Sequence, residues 1–258
     1  MDVVVGGATG KLGSMVCDLV TGSDDLTLRG AVVSEGGGHV GREIAPGVRT
    51  SGPGSLRDLL DEDCIYVDLT TPEAATGIVS EIPSTGANLI VGTTAVGAEA
   101  LSRMESEVER CGTSALVSAN FATGMNVFWK VSEILARHLP DYDIEIIEAH
   151  HSAKRDAPSG TTAETVRRLQ SSTGIEDVVY SREGSTGPRK REIGVHALRA
   201  GDIIGDHTVI LAKNMEMIEL THRTVSREAL ARGCLESIRW MDDRRDGKVH
   251  SMDEVLGL

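Results

Sequence analysis

Residues 148–162 concentrate side chains that could bind and protonate a small anionic molecule. The segment reads EAHHSAKRDAPSGTT and places His150, His151, Lys154 and Arg155 close together in the chain. A histidine titrates near neutral pH and is therefore a candidate general acid, while an ammonium group can hold a carboxylate. The segment thus predicts an anion-binding site with a proton donor beside it.

The same segment predicts the start of a helix. Pro158 interrupts regular structure, and the Ser-Gly-Thr that follows would present unpaired N–H groups, which favour an anion. Thr161 and Glu164 have the spacing of a capping box. If the preceding strand continues through His150 and His151, their side chains leave on opposite faces and have different roles.

Other interpretations of these residues stay open at this point. The histidines could be hydrogen-bonded core residues, or the segment could be a solvated loop before a capped helix. A zinc site is a third interpretation. The His-His-x-x-Lys spacing puts an ammonium where a further ligand is needed and no cysteine lies near, so we predict no metal.

A glycine-rich turn near the N-terminus predicts a nucleotide site. Residues 6–13 read GGATGKLG and lie between an apolar run and a helical stretch. Glycine lets a pyrophosphate approach the backbone, and the helix start supplies N–H groups. Glu35, at the end of the next apolar run, could accept hydrogen bonds from ribose hydroxyls. The alternative is a tight turn without a ligand.

An alternation of apolar runs and helical stretches over residues 1–121 would position this turn. The runs are continuous rather than alternating, which indicates parallel strands buried on both faces. Strands are predicted at 3–5, 28–33, 65–69, 89–91 and 115–117, and helices at 11–20, 73–81 and 98–110. Polar segments at 70–72, 92–94 and 118–121 follow the last three strands and would form one rim at the edge where such sheets bind ligands.

The pattern changes in the second half. A helix at about 126–138, a strand at 144–149 and a helix at about 162–169 precede an exposed loop at 181–191. Three close strand-like runs follow at 193–198, 208–211 and 217–221, so the second sheet is predicted to be largely antiparallel. The final predicted helix covers 227–240.

The predicted fold class is therefore α/β, in two domains. An N-terminal Rossmann-type, doubly wound parallel sheet would comprise residues 1–121 and 228–258 and bind a dinucleotide. A second α+β domain with an open mixed sheet, residues 122–227, would bind the substrate and form the oligomer.

Composition narrows the class of partner. The 258 residues carry a formal net charge of -13, which disfavours nucleic acid and anionic membranes as partners. The four cysteines are widely spaced without a C-x-x-C pair, which is typical of free thiols in a reducing compartment. No signal peptide or membrane-spanning stretch is recognised. We expect a cytoplasmic enzyme that acts on a small molecule.

The motifs together resemble the 4-hydroxy-tetrahydrodipicolinate reductase family, formerly called dihydrodipicolinate reductase. The resemblance is carried by EAHH with Lys154 and by DAPSGT at 156–161. It extends over the chain through the glycine turn, GTT at 92–94, SANF at 118–121, RAGD at 199–202 and HT at 207–208. It implies the reduction of 4-hydroxy-tetrahydrodipicolinate, a small dicarboxylate, with loss of water in the diaminopimelate route to lysine. It further implies NADH or NADPH as coenzyme, no metal, and a homotetramer.

The resemblance also implies roles for individual residues. His150 would be the proton donor, and Lys154 a second catalytic group that also binds substrate. His151, Gly160 and Thr161 would bind the substrate carboxylates. The residues implied to line the dinucleotide are Gly7, Ala8, Thr9, Gly10, Lys11, Leu12, Gly92, Thr93, Thr94, Ser118, Ala119, Asn120 and Phe121.

Coenzyme choice is where the chain departs from the family. Members often pair the acidic residue after the second strand with a basic neighbour, whereas here Glu35 is followed by three glycines. The carboxylate disfavours a 2'-phosphate and Lys11 could attract one, so use of both NADH and NADPH is predicted.

Two other classes of protein share part of this pattern. A coenzyme-binding redox sensor is one, because GATG at 7–10 also resembles the loop of short-chain-dehydrogenase-like proteins. The Tyr-x-x-x-Lys pair of their active members is absent here. Another two-domain dehydrogenase of amino-acid metabolism, such as an aspartate or homoserine dehydrogenase, is the second, and the motif at 150–161 argues against it.

Overall fold

The computed structural model describes residues 1–258 and divides into two compact units, 1–123 with 228–258 and 124–227. The strands are β1 (Asp2–Gly6), β2 (Thr27–Val32), β3 (Glu43–Ala45), β4 (Val48–Ser51), β5 (Cys64–Asp68), β6 (Asn88–Val91), β7 (Ala115–Val117), β8 (Asp143–His150), β9 (Val178–Tyr180), β10 (Ile193–Arg199), β11 (Gly205–Lys213), β12 (Glu216–Thr224) and β13 (Val249–His250). The helices are α1 (Lys11–Thr21), α2 (Leu56–Leu59), α3 (Pro72–Ile78), α4 (Ala98–Cys111), α5 (Thr123–His138), α6 (Gly160–Thr173), α7 (Glu228–Trp240) and α8 (Met252–Leu256).

The first unit is built on an eight-stranded sheet in the order β13-β7-β6-β5-β1-β2-β4-β3. Every pairing is parallel except that of β3 with β4. The chain winds outwards in both directions from β1, which is the doubly wound Rossmann arrangement. The fold class predicted from the continuous apolar runs is confirmed.

Burial on both faces explains why these strands form the centre of the sheet. Val3, Val4 and Val5 of β1 are fully buried, although neighbouring residues of a strand point to opposite faces. Helix α1 packs on the β1 face that carries Val3 and Val5, together with Ala231 and Cys234 of α7. The central strand is thus covered by apolar side chains on each side.

Short elements are the ones that the sequence pattern missed. Strands β3, β4, β9 and β13 contain two to four residues each and are too short for a periodicity to be recognised. The helix predicted at 73–81 ends at Ile78, and a 3-10 turn, Ile82–Thr85, follows after a short break.

The second unit contains a five-stranded sheet in the order β12-β11-β8-β10-β9. β11 is antiparallel to both β8 and β12, but β10 is parallel to both β8 and β9. The sheet is therefore mixed, as the predicted fold class states, although only two of its four pairings are antiparallel and the pairing is less antiparallel than the close strand-like runs indicated. The parallel pairs follow from helix α6, which carries the chain back so that β9 and β10 run in the direction of β8.

The cysteines and helices bear on two further predictions. All four cysteines are free, as predicted; Cys17, Cys64 and Cys234 are buried, and Cys111 is half-buried. None of the helices combines the length and apolar character needed to cross a lipid bilayer.

Candidate active site

The C-terminal end of β8 places a buried carboxylate beside a buried imidazole. Glu148 and His150 are two residues apart and therefore share a face of the strand. Glu148 is fully buried, His150 is 7% exposed, and Nδ1 of His150 is hydrogen-bonded to Oε2 of Glu148. The strand ends at His150, so His151 lies in the following turn and the condition for opposite strand faces is not met.

Three further donors hold the Glu148 carboxylate. Nη1 and Nη2 of Arg199, on β10, donate at 3.0 and 2.9 Å, and the backbone N–H of Ser159 donates at 3.1 Å. Burial raises the pKa of Glu148, but hydrogen bonds from Arg199 and His150 outweigh it, so the pKa lies below its ordinary value. Glu148 is ionised at neutral pH.

The electrostatics of His150 follow from burial and charge. Burial has the largest effect and lowers the pKa of His150. The hydrogen bond and the charge of Glu148 raise this pKa, but less strongly, so the pKa of His150 lies below its ordinary value. The other ring nitrogen, Nε2, has no hydrogen-bond partner within the chain. Nε2 is therefore the atom of this ring that remains to exchange a proton with a ligand.

A second imidazole, which sequence reasoning assigned no role in the site, lies against the first. The rings of His207 and His150 meet edge to face with centroids 5.3 Å apart. His207 is 3% exposed, and burial lowers its pKa to about 3. Its Nε2 lies 3.4 Å from Oγ of Ser159, while its Nδ1 is buried without a partner. The sequence signal was a histidine at an inward-facing position of β11.

Lys154 lies in the turn that follows β8. Its Nζ forms an ion pair with Asp156, 2.8 Å from Oδ1 and 2.9 Å from Oδ2, and its side chain is 21% exposed. The carboxylate of Asp156 is largely exposed. An anionic ligand could therefore compete with Asp156 for the ammonium group at little cost in buried charge.

Helix α6 begins next to this turn, as predicted, but with a different cap. Ser159 is the N-cap and accepts a hydrogen bond from the backbone N–H of Thr162 at 3.1 Å. The predicted Thr161–Glu164 capping box was wrong, since Glu164 binds Arg167 and Arg168 instead. Ser159 is the last residue with extended backbone before the helix (φ -67°, ψ 156°), so its side chain, and not that of Thr161, caps the first turn.

The start of α6 has the properties of an anion site. Its first turn contains no acidic residue. Gly160, its first residue, is exposed, and a Cβ at this position would meet nothing within 4 Å. No contact within the chain therefore demands glycine here, which leaves room for a ligand at the N–H groups of the first turn. Thr161 is half-buried beside Gly160.

In the first unit, the predicted coenzyme residues meet at the carboxyl edge of the parallel sheet. The glycine turn is joined to the end of β2, because the amides of Gly7 and Ala8 donate to the carbonyl of Val32 at 2.9 and 3.2 Å. Gly7 has φ +75°, which favours glycine, and Ala8 is buried. These two amides serve the fold, and the exposed part of the turn is Thr9, Gly10 and Lys11, with Leu12 half-buried.

Helix α1 offers the phosphate-binding features that the glycine turn predicts. Gly10 caps the helix without a side-chain hydrogen bond, and the first turn contains no acidic residue. A Cβ on Gly13 would stand 2.2 Å from the carbonyl oxygen of Gly7, so glycine is required for the helix to pack against the turn. The residues fit the pyrophosphate of a dinucleotide, which would meet N–H groups and Lys11.

A buried aspartate that sequence reasoning missed organises the adjoining loops. Oδ1 of Asp68, at the end of β5, accepts from Oγ1 of Thr70 at 2.9 Å and from Oγ1 of Thr93 at 2.5 Å. The hydroxyl of Tyr66 donates to Oδ2 at 3.3 Å. The hydroxyl of Thr93 is thus engaged inside the protein, whereas Thr94 is exposed. The available signal was an acidic residue ending an apolar strand.

The loop after β7 is held in a similar way. Oγ of Ser118 accepts from the amide of Asn120 at 3.2 Å and donates to its carbonyl at 2.8 Å. Phe121 is buried, and a Cβ on Gly92 would stand 2.5 Å from its ring. Ala119 is exposed at the tip. Gly92 and Phe121 therefore pack the two loops together.

Glu35 lies three residues beyond Val32, the residue whose carbonyl receives the glycine turn. It opens a 3-10 turn, Glu35–Gly37, and its side chain is exposed beside Gly52. The sequence prediction placed it at the end of β2, which instead ends at Val32. An exposed carboxylate after this strand remains suited to a ribose.

A cavity of about 710 Å³ opens at the opposite, amino-terminal edge of the same sheet. Its lining includes Asp2, Glu62, Asp63, Asp242 and Asp243 but none of the predicted site residues. An acidic lining of this kind repels phosphate, so the cavity is not suited to a dinucleotide. No group of three or more His, Cys, Asp and Glu side chains in the chain could hold a metal ion.

Both units match models of one protein family. Residues 1–121 match the model described as dihydrodipicolinate reductase, N-terminus, and residues 124–256 match dihydrodipicolinate reductase, C-terminus. Proteins named 4-hydroxy-tetrahydrodipicolinate reductase are similar over nearly their whole length. That of Methanothermobacter thermautotrophicus is 40% identical, covering 99% of this chain and 98% of that protein, and that of Methanocaldococcus jannaschii is 41% identical, covering 99% and 97%.

Solved structures support the fold. Dipicolinate-bound dihydrodipicolinate reductase from Paenisporosarcina sp. TG-14 aligns with a TM-score of 0.79 at 22% identity, covering 97% of each chain. Aspartate dehydrogenase from Thermotoga maritima aligns with a TM-score of 0.53 at 14% identity, covering 95% of this chain and 97% of that one. The two-unit architecture is thus one that several dehydrogenases use.

Proposed function

The chain belongs to the dihydrodipicolinate reductase family, and from this premise we propose that it reduces 4-hydroxy-tetrahydrodipicolinate to tetrahydrodipicolinate with loss of water. The reaction belongs to the diaminopimelate route to lysine and uses a nicotinamide coenzyme. The observation that carries the proposal is the cluster at the end of β8, where His150, Lys154 and the start of α6 combine a proton donor with two features that hold an anion.

We assign the two units different tasks. The carboxyl edge of the first unit would hold the dinucleotide through the start of α1 and the loops that follow β5, β6 and β7. When bound, the reduced nicotinamide supplies the hydride. The second unit would bind the substrate and form the oligomer. We place the enzyme in the cytoplasm.

The substrate ring gains electron density during reduction and must be protonated. His150 would donate this proton from Nε2, because Nδ1 is committed to Glu148. His150 is then reprotonated from solvent before the next turnover. The ammonium of Lys154 supports the negative charge that develops nearby.

The two substrate carboxylates would be held by positive groups of the same cluster. Lys154 exchanges its partner Asp156 for a substrate carboxylate. His151, in the turn, and the Gly160 and Thr161 backbone at the start of α6 bind the carboxylates through N–H groups. A dicarboxylate therefore neutralises a site that is cationic in an otherwise acidic chain.

Gly160→Ala tests the assignment of the α6 start. We expect the KM for substrate to rise about tenfold or more, because a methyl group would occupy the space at the first-turn N–H groups, at about 1.4 kcal/mol per factor of ten. The thermal midpoint should stay or rise, since alanine favours a helix and nothing in the chain lies within 4 Å of the new atom. Gly77→Ala, at an exposed glycine of helix α3 where a Cβ would also meet nothing within 4 Å, is the matched control; an unchanged KM in Gly160→Ala would contradict the assignment.

We propose that both NADH and NADPH are used. Glu35 is exposed where the adenosine ribose would lie and disfavours a 2'-phosphate, whereas the exposed Lys11 at the start of α1 attracts it. Steady-state assays with each coenzyme measure the two kcat/KM values, which we expect within about one order of magnitude of each other. A strong preference for NADPH would contradict the role of Glu35 as a ribose ligand.

We further propose that the second unit joins four chains. Strand β12 is an unpaired edge nine residues long, and Met215, Met217 and Ile218 are exposed on or beside it. A long edge with exposed apolar side chains favours association. Sedimentation velocity should give four times the chain mass of 27.4 kDa, and Met217→Lys with Ile218→Lys should lower it. A wild-type mass of one chain at all concentrations would contradict the tetramer.

The decisive assay couples the chain to the preceding aldolase and follows NAD(P)H oxidation. Oxidation of NAD(P)H that requires the aldolase product, and that ceases when the aldolase is left out, supports the proposed function. Firm coenzyme binding without oxidation would instead favour a redox sensor, and the proposal would then be abandoned.

A further inference from the structure

Glu148 is buried beside His150 and has so far been assigned only a hydrogen bond to its Nδ1, with no role of its own in the reaction. We propose that Glu148, held by Arg199 and the Ser159 amide, is a positioning residue that fixes the ring of His150 with its proton on Nδ1 and leaves Nε2 to serve the substrate. The inference rests on the proposed function of His150 as proton donor.

Both oxygens of the Glu148 carboxylate are held from two sides. Oε1 accepts from the Ser159 amide at 3.1 Å and from Nη2 of Arg199 at 2.9 Å. Oε2 accepts from Nη1 of Arg199 at 3.0 Å and from Nδ1 of His150. Arg199 is anchored in turn by the carbonyls of Leu198 and Asp156. With every direction occupied, the carboxylate has no freedom to rotate, so the imidazole bound to it is oriented too.

The hydrogen bond to Glu148 also decides the tautomer. An ionised carboxylate only accepts hydrogen bonds, so Nδ1 of His150 must carry a proton whether the ring is neutral or charged. The catalytic proton is then gained and lost at Nε2. Gly205 leaves space beside this atom, because a Cβ there would stand 3.2 Å from Nε2.

Glu148 is the one anion in direct contact with the ring. The charged and titratable groups that face His150 are Glu148 on β8, Arg199 on β10, His207 on β11 and Lys154 in the turn. His207 is neutral at pH 7 because burial lowers its pKa to about 3. Without the Glu148 charge, Lys154 and Arg199 remain, and both disfavour the protonated ring.

Glu148→Gln is the first test. We expect kcat to fall about tenfold or more and the basic limb of its pH profile to move to lower pH by about one unit or more, because the stabilising charge on the protonated ring is lost. Glu148→Asp keeps the charge and should return the limb towards its wild-type position even where kcat stays reduced. A merely structural role would lower activity without moving the limb.

Glu145→Gln is the matched control on the same strand. Glu145 also binds two arginines, Arg182 and Arg189, and accepts from Nε2 of His196 at 2.7 Å. The Glu145→Gln variant therefore disrupts a second Glu–Arg–His cluster on the same strand, and this cluster does not contact His150. Its pH profile should match that of the wild type.

A double variant and a chemical probe separate positioning from other effects. In a His150→Gln background, Glu148→Gln should cause no further loss of kcat, whereas an equal loss there would overturn the inference. Diethylpyrocarbonate modification of His150, located by mass spectrometry, reports the ring pKa in the free protein without turnover. The pH dependence of modification should shift downwards in Glu148→Gln, and an unshifted curve would also overturn the inference. An inactive wild type with a shifted modification curve would reject the proposed function alone.

Discussion

His150→Gln and Lys154→Ala are each expected to lower kcat by about two orders of magnitude or more, with the dissociation constant of NADH little changed. The glutamine cannot donate a proton from the position of Nε2, and the alanine removes the ammonium that supports developing charge. Coenzyme affinity should be spared because the residues proposed to bind the coenzyme lie in the first unit, 1–123 with 228–258.

The measurement combines steady-state kinetics on the aldolase product with titration calorimetry of NADH. Arg155→Ala is the matched control for Lys154→Ala, since Arg155 is an exposed cation in the same turn, and it should retain near-wild-type kcat. Near-normal turnover in both His150→Gln and Lys154→Ala would remove the basis of the proposed chemistry.

Acid is expected to destabilise the folded chain through His207. Burial lowers the pKa of His207 from 6.5 to about 3 in the folded state. Between these values the unfolded chain binds a proton that the folded chain does not, so the free energy of unfolding falls as pH falls. The slope rises from about half to nearly all of 1.4 kcal/mol per pH unit as pH falls from 6.5 to 5, which amounts to about 1.6 kcal/mol over this window.

Other groups act in the same direction but can be separated. Burial also lowers the pKa of His150 and His222, which adds to the slope. Glu148, whose pKa is lowered from 4.5, loses its contribution only in more acidic solution. The window from pH 6.5 to 5 therefore reports mainly on buried histidines.

Urea unfolding of wild type and His207→Phe across this window measures the effect. The phenyl ring keeps the edge-to-face contact with His150, and the variant should show a shallower dependence on pH. Above pH 7.5 His207 is neutral in both states, so the two curves should run parallel there and provide an internal control. Equal slopes below pH 6.5 would contradict the role of His207.

Patterns in short stretches of the sequence predicted much of the fold. Continuous apolar runs predicted the parallel sheet because strands buried on both faces need apolar residues at every position, as in Val3, Val4 and Val5. Pairing in the second sheet was not predictable in this way. β10 runs parallel to β8 because α6 returns the chain, and apolar runs carry no information on strand direction.

The sequence by itself determined which groups are proposed to carry the chemistry. His150, Lys154 and the helix start after Ser159 follow one another within a single segment, and so do the glycines that precede α1, because each group is positioned by its own short stretch of chain. Only the tertiary structure decided how His150, the proposed proton donor, is held. Glu148, Arg199 and His207 come from three different strands, β8, β10 and β11. They meet at His150 because strand pairing brings distant residues into one buried cluster, and there burial makes each unpaired charge or hydrogen bond costly.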